Sequence, residues 1–425
     1  MDSSSSESDA SSTPLVDGEF QDVFGYPATL RTYCPGRLIL TGEHIDFHGY
    51  SVVSMTISDG TAILAGRNGK PVIRIASKDP DKKEVTISLP SSWAGTKTPQ
   101  WHDYVLCGWK AVMDYVGDVQ IGFDMLIHER IPKSCGAGST TSLVVASALT
   151  TWAISTNKEF DDLTREEFAE LCYISRRYLG AEGTGVDEAT LILPRGQYQG
   201  LYFSPLQSSI ISFFPDAAKY VSRPENVSES DIPNLHYERL TEGRLAARLL
   251  SMQLGLETKY CLLRDVQEAA RRDLNQMLEL VESLPESASR EELERLLGRD
   301  EVQACLSEDT EHLTSFKLRP RARYVFGEAL RVDEFSKAID DPIRMGRIMC
   351  SCSSSLSADY ECGNAEAENL VRKASRASYG ARITAWGKRV LVVEDCAHPS
   401  DPEGDCLLFT DVAFSGASVK FIEQE

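Results

Sequence analysis

A short segment near the start of the sequence brings together side chains that could hydrogen-bond a ligand rich in hydroxyl groups. Residues 34–50 contain Arg37, Glu43, His44 and Asp46 among several glycines. Carboxylates and an imidazole can pair with neighbouring hydroxyl groups, and glycines let a ligand approach the backbone. A polar turn held by a structural ion pair would contain the same residue types. The residue types alone therefore leave a sugar site and a structural turn both open.

Two further segments have compositions that occur in phosphate chemistry. Residues 131–142 are small or hydroxyl-bearing and precede an apolar run. Backbone N–H groups at a helix N-terminus can bind phosphates while a hydroxyl ligates Mg²⁺, although a flexible linker ending in a helix cap has the same composition. Residues 176–188 place Asp187 after a glycine-rich turn, where an aspartate commonly caps a helix. Each segment alone is therefore ambiguous.

The elements that would hold these segments alternate between strands and helices. Short apolar stretches separated by turns predict strands over residues 32–40 and 51–57, at and after the first segment. A strand pattern over 119–131 precedes the second segment, and helical spacing covers 101–115 and 143–154. The second segment thus lies between a strand and a helix, where a phosphate-binding loop belongs.

Capping signals and turn residues predict the later elements. Thr164 and Glu167 form a capping box at the start of a helix that Gly180 would end. The polar stretch 221–233 indicates a domain boundary. Further strands are predicted over residues 189–203, 381–394 and 417–422, and helices over residues 245–252, 266–281 and 321–331. We therefore expect an α/β (α+β) protein.

Length and composition limit the fold and the partners. A chain of 425 residues is long for one core, so we expect two domains, 21–222 and 223–425, after a disordered tail over 1–20. A net charge of −20 argues against a nucleic-acid partner, which needs clustered Lys and Arg. The eleven cysteines lack zinc-finger spacing, and we see neither a secretory leader nor an apolar run of membrane-spanning length. We expect a cytoplasmic monomer with reduced thiols and no membrane contact.

The first segment is similar, nearly position by position, to the galactokinase signature. That signature contains Pro-Gly-Arg, then Gly-Glu-His-x-Asp-aromatic, and here Arg37 ends the first part and residues 42–47 form the second. The chain thus resembles the galactokinase family of the GHMP kinase superfamily, and eukaryotic N-acetylgalactosamine kinases are the relatives that we suggest first. The resemblance implies a two-lobed GHMP kinase fold. An N-terminal lobe like ribosomal protein S5 domain 2 would face a ferredoxin-like C-terminal lobe across the active-site cleft.

The other segments resemble the remaining galactokinase motifs. Residues 131–142 are similar to the family's phosphate loop, and 176–188 to the segment that ends in Gly-x-Met-Asp-Gln. The resemblance implies that Arg37 stabilises charge and that Asp187 orients the sugar hydroxyl or takes its proton. The implied sugar-binding residues are Arg37, Glu43, His44, Asp46, Gly185 and Asp187. The implied nucleotide contacts are Trp101, Gly136, Ala137, Gly138, Ser139, Thr140 and Thr141, with Thr140 and Thr141 also as ligands of Mg²⁺.

Departures from the family pattern fall on the nucleotide and metal side. The family has a metal-binding Glu before the catalytic loop, where this chain has Arg176, and a cation cannot ligate Mg²⁺. The glycine-rich third motif is shortened, and Trp386 stands where backbone should approach the other loops. Ala137 and Gly138 are milder changes in the phosphate loop. Tyr237, near the domain boundary, is a further candidate sugar contact. The alternative is that Tyr237 is a surface aromatic residue without a role in binding.

Two functions remain open from the sequence. One is an enzyme that transfers the γ-phosphoryl group of ATP to the anomeric hydroxyl of galactose or N-acetylgalactosamine, with Mg²⁺ as a cofactor. The other is a catalytically weak or inactive sugar sensor that acts through a protein partner. A mevalonate or homoserine kinase is a third candidate, against which residues 42–46 argue. We favour the enzyme because Arg37 and Asp187, the residues nearest the chemistry, are both present.

Overall fold

The computed structural model describes most of the chain as an eight-stranded sheet, a four-stranded sheet and a two-stranded pair, with helices packed against them. It describes residues 15–117, 120–131, 136–160, 162–180, 183–193, 196–199, 207–209, 217–222, 235–257, 259–338, 341–395, 406–409 and 416–422, with side chains left out for 196–199, 207–209, 217–222 and 406–409. The strands in these ranges are β1 (Leu30–Thr41), β2 (Ser51–Arg67), β3 (Val72–Ser77), β4 (Val85–Ser88), β5 (Phe123–Glu129), β6 (Gly196–Gln199), β7 (Gln207–Ser209), β8 (Ala217–Ser222), β9 (Ser287–Ser289), β10 (Ser315–Lys317), β11 (Gly380–Thr384), β12 (Arg389–Asp395), β13 (Cys406–Phe409) and β14 (Ser418–Phe421). The helices are α1 (Asp17–Phe24), α2 (Trp101–Val116), α3 (Ser139–Thr156), α4 (Arg165–Ile174), α5 (Val186–Ile192), α6 (Leu235–Gln253), α7 (Leu263–Ala270), α8 (Leu274–Val281), α9 (Arg290–Leu297), α10 (Arg299–Gln303), α11 (Arg319–Ser336), α12 (Pro342–Ala358) and α13 (Ala365–Ala374). Short 3-10 turns cover Asp46–His48, Ser175–Leu179 and Ala385–Gly387.

The larger sheet contains the segment that we predicted to bind a sugar. Its strands follow the order β14, β1, β2, β5, β3, β4, and β6 pairs with β2 and with β7. The antiparallel pairing of β1 with β2 shifts register between Pro35 and Gly36, and again between Ile39 and Thr41. Such bulges change the direction of the side chains that follow them and are common beside active sites. The first shift lies directly before Arg37.

Close backbone packing fixes the helix that follows the phosphate loop. A Cβ atom at Gly108 of α2 would lie 2.3 Å from the carbonyl oxygen of Val144 in α3, so only glycine permits this approach. Ser147 of α3 donates a hydrogen bond to the carbonyl oxygen of Val105 in α2 (2.7 Å). Residues 141–154 of α3 are all buried. The N-terminus of α3 is therefore held in a fixed position beside the loop.

A smaller sheet shares its hydrophobic core with the larger one. Its strand order is β11, β12, β8, β13. The largest core cluster contains Leu38 of β1, Val53 of β2, Phe326 and Val332 of α11, and Ile383 of β11. Because one core joins both sheets, the segments after β1 and β11 are brought to the same place.

The predicted fold class and several predicted elements are confirmed. The structure is a mixed α/β arrangement, and helices cover the ranges 101–115 and 143–154. At the start of α4, the N–H of Thr164 donates to Glu167 Oε2 (2.8 Å) and the N–H of Glu167 donates to Thr164 Oγ1 (3.2 Å), as the capping box predicts. Gly180 is left-handed (φ 63°) and ends the 3-10 turn that follows α4.

Two predicted elements are wrong in part. Residues 189–192 belong to helix α5 and not to a strand. All four of these residues are buried, and a short run of consecutive buried residues does not distinguish a helix from a strand. The predicted helix 266–281 is two helices, because Arg271 adopts a left-handed conformation (φ 51°) that ends α7. Asp273 then caps α8 by accepting a hydrogen bond from the N–H of Gln276 (2.9 Å).

The predicted tail and domain boundary differ from the structure at particular residues. Helix α1 begins at Asp17, and Phe20 and Phe24 on one face of it are buried against Leu64 of β2. Disorder was therefore the wrong prediction for residues 17–20, while 1–14 lie outside the described residues.

The two sheets do not divide the chain at a single point. Strand β8 lies in the smaller sheet although it precedes the predicted boundary, and β14 returns to the larger sheet to pair with β1. The division into domains 21–222 and 223–425 stays a prediction. No helix in the described ranges combines the length and the apolar character that crossing a membrane requires.

Candidate active site

A cavity of about 300 Å³ opens where the segment after β1 meets the N-terminus of α5 and the turn after β11. The predicted site residues that line it are Arg37, Glu43, His44, Asp46, Gly136, Gly185 and Asp187. Among the residues that we did not predict as ligands, Arg176, Thr184, Trp386 and Lys388 also line it. The structure thus brings the first and third sequence segments together, with one residue of the phosphate loop.

Arg37 and Asp187 form a two-pronged ion pair at the wall of this cavity. Arg37 Nε lies 2.7 Å from Asp187 Oδ1, and Arg37 Nη2 lies 3.0 Å from Asp187 Oδ2. The third nitrogen of the guanidinium donates to the carbonyl oxygen of Gly136, and the Arg37 N–H donates to the carbonyl oxygen of Ala137 (2.9 Å). Arg37 therefore fixes both the carboxylate and the phosphate loop.

The position of Asp187 excludes the helix-capping alternative. Asp187 is the second residue of α5, and the N-cap is Gly185 in a left-handed conformation (φ 83°). Burial would raise the pKa of Asp187, but the charge and hydrogen bonds of Arg37, and then those of Arg176, outweigh burial and lower this pKa to about 2. Asp187 is therefore an anion at neutral pH, suited to accepting a hydrogen bond from a hydroxyl.

Arg176 is a second cation on the same carboxylate. Its Nη2 lies 3.4 Å from Asp187 Oδ2 and donates to Thr141 Oγ1 (3.0 Å), while its Nε lies 2.5 Å from Glu188 Oε1. Glu188 is completely buried, and its other carboxylate oxygen has no hydrogen-bond partner among the described residues. The guanidinium thus occupies the space between the three oxygen-bearing side chains that could otherwise approach a metal ion.

The residues around Arg176 do not fit a protein-held Mg²⁺ ion. A Mg²⁺ ion would need several oxygen ligands around the position that it occupies. Here the guanidinium of Arg176 fills the position between those oxygens. Within the described residues, no group of three or more His, Cys, Asp or Glu side chains could hold a metal ion. The hydroxyl of Thr141 already accepts a bond from Arg176, and Thr140 is exposed. The Mg²⁺ roles of Thr140 and Thr141 stay predictions without a matching donor set.

Asp46 and Thr184 are hydrogen-bonded to each other in the cavity wall. Asp46 opens the 3-10 turn Asp46–His48, and its Oδ2 accepts a hydrogen bond from Thr184 Oγ1 (2.5 Å). Burial raises the pKa of Asp46 to about 6, against the hydrogen bond from Thr184 and together with the negative charge of Asp187. Asp46 thus changes charge close to neutral pH.

Glu43 is a link between the two sheets. Its Oε2 accepts from Arg382 Nη2 (2.5 Å) and its Oε1 accepts from Thr384 Oγ1 (3.1 Å), both on β11. The hydroxyl of Tyr324 on α11 donates to the carbonyl oxygen of Glu43 (2.8 Å). The sequence predicted a sugar contact at Glu43, and in this structure its carboxylate also holds the cavity wall to the smaller sheet.

His44 presents an unpaired nitrogen beside aromatic rings. Its backbone is left-handed (φ 68°), and its ring centre lies 4.2 Å from that of Trp386. The Nε2 atom is buried without a hydrogen-bond partner among the described residues. Burial, and then the charges of His236 and Arg382, hold the pKa of His44 well below its usual value. A neutral imidazole with a buried unpaired nitrogen is ready to pair with a ligand hydroxyl.

The turn after β11 closes on the phosphate loop. Ala385 and Trp386 are both left-handed (φ 51° and 58°), a costly conformation for residues with a side chain. A Cβ atom at Gly136 would lie 2.9 Å from the Cβ of Ala385. The sequence marked Trp386 as a departure from the family pattern, and the structure shows that its ring forms part of the cavity wall.

The other predicted contacts lie outside the cavity wall. Trp101 begins α2, where its ring lies 5.5 Å from the ammonium group of Lys82. Tyr237 on α6 neighbours His236, whose ring centre is 5.7 Å from that of Trp386. Ser139, Thr140 and Thr141 form the first turn of α3, and residues 132–135 of the phosphate loop lie outside the described residues. Thr184 lies within the segment 176–188, and Lys388 follows Trp386 in the shortened third motif, but neither was predicted as a ligand.

Two family models match parts of the chain. The galactokinase galactose-binding signature matches residues 18–67, and the GHMP kinases N-terminal domain matches residues 103–194. A galactokinase of Dictyostelium discoideum is 28% identical over 413 residues, which cover 84% of this chain and 79% of the relative. A galactokinase of Candida albicans is 24% identical over 430 residues, with coverage of 84% and 81%.

Solved structures show the same fold. A Lactococcus lactis galactokinase complexed with galactose superposes with a TM-score of 0.70 at 18% identity, over 96% of this chain and 98% of that one. A Methanococcus jannaschii mevalonate kinase gives a TM-score of 0.60 at 15% identity, over 93% and 99%. The predicted GHMP kinase fold is confirmed. In sequence, parts of the chain are thus similar to galactokinases and to the N-terminal domain of GHMP kinases.

Proposed function

We propose that the chain transfers the γ-phosphoryl group of ATP to the anomeric hydroxyl of galactose or N-acetylgalactosamine. The observation that supports this most directly is the Arg37–Asp187 pair, held in two-pronged geometry at the wall of a cavity that Asp46 and His44 also line. A cation and an oriented carboxylate beside a hydroxyl-binding surface are what phosphoryl transfer to an alcohol requires.

The sugar would be held by groups that differ in hydrogen-bonding character. The carboxylate of Asp46 accepts hydrogen bonds, and the unpaired Nε2 of His44 can pair with one further hydroxyl. Each carboxylate oxygen of Glu43 already accepts one hydrogen bond, so its remaining lone pair would be available to a sugar hydroxyl. Several oriented polar groups in a cavity of about 300 Å³ suit a monosaccharide.

Asp187 would act by orienting the nucleophile. With a pKa of about 2, it is too weak a base to remove a hydroxyl proton early in the reaction. Phosphoryl transfer passes through a loose transition state, so the protein contributes mainly position and charge. Asp187 would accept a hydrogen bond from the anomeric hydroxyl and point its oxygen at the phosphorus, while Arg37 stabilises the charge that develops on the transferred group.

The phosphates of ATP would meet the N-terminus of α3 and the phosphate loop. Gly136, Ala137, Gly138 and the hydroxyl residues Ser139, Thr140 and Thr141 lie there, and helix N-termini favour anions. Arg176 supplies a fixed positive charge beside this site. The side chains around Arg176 do not fit a protein-held Mg²⁺ ion, and the roles given to these residues do not depend on one. The alternative of a sugar sensor acting through a protein partner has no support among the relatives.

The test is product formation by the full chain, measured beside sugar binding. Galactose and N-acetylgalactosamine would each be incubated with Mg-ATP, with the sugar 1-phosphate detected by phosphorus NMR and the sugar titrated by calorimetry. Turnover with either sugar would support the proposal and would name the substrate. Binding of a sugar without turnover would refute the proposed catalysis while leaving the sugar site intact.

A further inference from the structure

Residues with an unfavourable backbone conformation are concentrated around Trp386. Six non-glycine residues in the described ranges have a left-handed backbone, and three of them, His44, Ala385 and Trp386, line the cavity together. A fourth, Glu361 (φ 56°), directly follows Tyr360, whose ring stacks on that of His44. Such conformations are costly for residues with a side chain and persist where surrounding contacts hold them, most often at ligand sites. Their concentration here points to a role for this contact in binding.

Aromatic rings hold the imidazole of His44 from two directions. The ring centre of Trp386 lies 4.2 Å from that of His44, with 36° between the two planes. The ring centre of Tyr360 lies 5.3 Å from that of His44, with 17° between the planes. Tyr360 is buried and packs in turn against Tyr324, at 4.5 Å between ring centres. Since Nε2 of His44 has no hydrogen-bond partner among the described residues, ring packing fixes the plane of the imidazole.

The turn that carries Trp386 is anchored by contacts of its own. The side-chain N–H of Asn364, at the start of α13, donates a hydrogen bond to the carbonyl oxygen of Gly387 (2.8 Å). A Cβ atom at Gly387 would lie 2.9 Å from the carbonyl oxygen of Cys362, and its backbone is left-handed (φ 83°), so this close approach requires glycine. The position of the indole is therefore set by the backbone of the smaller sheet and its helix, and not by His44.

We propose that Trp386 is a positioning residue, which holds the imidazole of His44 in the cavity wall so that it can pair with a hydroxyl of the sugar. Without the indole the imidazole could rotate, and part of the binding free energy would be lost in ordering it again. The bulk of Trp386, which the sequence marked as a departure from the family pattern, would thus serve the sugar site. This inference rests on the proposed sugar site but not on turnover.

The test is calorimetric titration of galactose and of N-acetylgalactosamine into the full chain and its variants. Trp386→Leu keeps an apolar side chain but removes the flat ring, and we expect sugar binding to weaken about tenfold. Trp386→Phe restores a ring and should bind within about threefold of wild type. Trp386→Met replaces the Leu variant if that variant does not fold.

The matched control is Trp93→Ala. Trp93 is also half-buried, and it lies outside the cavity wall, where its Nε1–H donates to Asp103 Oδ1 (2.9 Å). This control should bind the sugar as wild type does. Sugar binding by Trp386→Leu that is as tight as that of the control would overturn the inference.

A double-mutant cycle separates positioning from direct contact with the sugar. If Trp386 acts through His44, adding Trp386→Leu to a His44→Ala protein should change sugar affinity less than about twofold. A tenfold loss in both backgrounds would mean that Trp386 acts independently of His44, and the positioning role would be wrong.

Proton NMR tests the ring contact without any sugar. An indole 4.2 Å away should displace the Cε1–H signal of His44 from the position of an exposed histidine, and Trp386→Leu should move the signal back. His44→Gln identifies the signal by removing it. A His44 signal that Trp386→Leu leaves unmoved would contradict the inference, whether or not the sugar is phosphorylated. Wild type that binds sugar without turnover would refute the proposed catalysis alone.

Discussion

The two sides of the Asp187 carboxylate differ in how much room they leave for a ligand. On the side proposed for the sugar, Arg37 is paired with Asp187, and Asp46 and His44 line the cavity and keep unused hydrogen-bonding capacity. Towards Glu188 and Thr141, the guanidinium of Arg176 joins Asp187, Glu188 and Thr141 in one network. The cavity beside Asp46 and His44, which we call the sugar side after the proposed function, has room for a ligand. The space between Asp187, Glu188 and Thr141, which we call the closed side, is filled by the guanidinium of Arg176.

This difference bears on which charges would assist phosphoryl transfer. A sugar kinase needs the phosphate charges balanced and the acceptor hydroxyl oriented. In the proposed function Asp187 would meet the second need, and Arg37 would contribute to the first. For the first, the chain has an internal cation where the family pattern has a carboxylate that binds metal. We infer that charge balance near Asp187 comes from fixed guanidinium groups of the protein.

The largest effect should follow from neutralising Asp187. Asp187→Asn keeps the volume of the side chain but removes the anion that orients the hydroxyl, and we expect turnover to fall roughly a thousandfold or more. Sugar affinity should change only a few-fold, because Asp46 and His44 remain. Initial rates with saturating ATP, beside calorimetric titration of the sugar, measure the two quantities separately.

The matched control for that variant is Asp17→Asn. Asp17 pairs with Arg31 at 2.7 Å on the surface, so it loses the same charge from an ion pair outside the cavity. Its turnover should match wild type. Turnover by the Asp187→Asn protein within tenfold of this control would remove Asp187 from the orienting role.

The next largest effect should be a loss of stability when the charge of Arg176, on the closed side, is reversed. Arg176→Glu would put a third carboxylate beside Asp187 and Glu188 in place of the cation, so the folded state should lose about 3 kcal/mol or more without metal. A divalent ion can then bind the introduced carboxylate with its neighbours. We expect the melting temperature to fall in chelator and to recover in millimolar Mg²⁺.

The control for this swap is Arg176→Met, which removes the same cation without adding a ligand. Its melting temperature should fall as well but should not respond to Mg²⁺. Equal Mg²⁺ responses of the two variants would show that the space around Arg176 is not a latent metal site, and the comparison of the two sides would lose its basis.

Much of the sugar side could be predicted from sequence because its chemistry lies in contiguous segments. Arg37, Glu43, His44 and Asp46 are close in the chain, and one turn between β1 and β2 is enough to present them together. The closed side could not be predicted in the same way. Arg176 was visible as a departure, but its simultaneous contacts to Thr141 and Glu188 depend on how α3 and α5 pack, which no local pattern specifies.

For the fold as well, the sequence predicted local elements but not the contacts between distant segments. Elements with strong local signals were predicted well, such as the α4 capping box at Thr164. Strand β14 illustrates the opposite case, since the sequence predicts a strand there but cannot say that it returns to pair with β1. The segment 189–192 was misassigned because it is buried on all sides and therefore has no amphipathic period to read.

A smaller effect should appear as a pH dependence of sugar binding. The pKa of Asp46 is about 6, so its carboxylate is an anion above that pH and is protonated below it. Sugar affinity should therefore fall as the pH drops from 7 to 5, by about tenfold if Asp46 accepts a hydrogen bond from the sugar. Asp187, with a pKa of about 2, does not change charge in this range, and burial lowers the pKa of His44 well below its usual value.

Calorimetric titration of galactose at several pH values measures that dependence. Asp46→Asn is the control, because it should bind weakly at every pH and lose the slope. A wild-type affinity that stays constant from pH 7 to pH 5 would exclude Asp46 as the acceptor.

The smallest effects should distinguish the two threonines at the start of α3. Thr141 is buried and accepts a hydrogen bond from Arg176 (3.0 Å), whereas Thr140 is exposed. Thr141→Ala should cost about 1–2 kcal/mol of stability, and Thr140→Ala should stay within about 0.5 kcal/mol, both measured by urea unfolding. The two variants should rank in the opposite order in their effect on the KM for ATP. Thr140→Ala should raise the KM for ATP a few-fold, because its hydroxyl is exposed beside the phosphate loop, and Thr141→Ala should not. A raised KM in Thr141→Ala would mean that Arg176 leaves Thr141 when nucleotide binds, so that the closed side opens during the reaction.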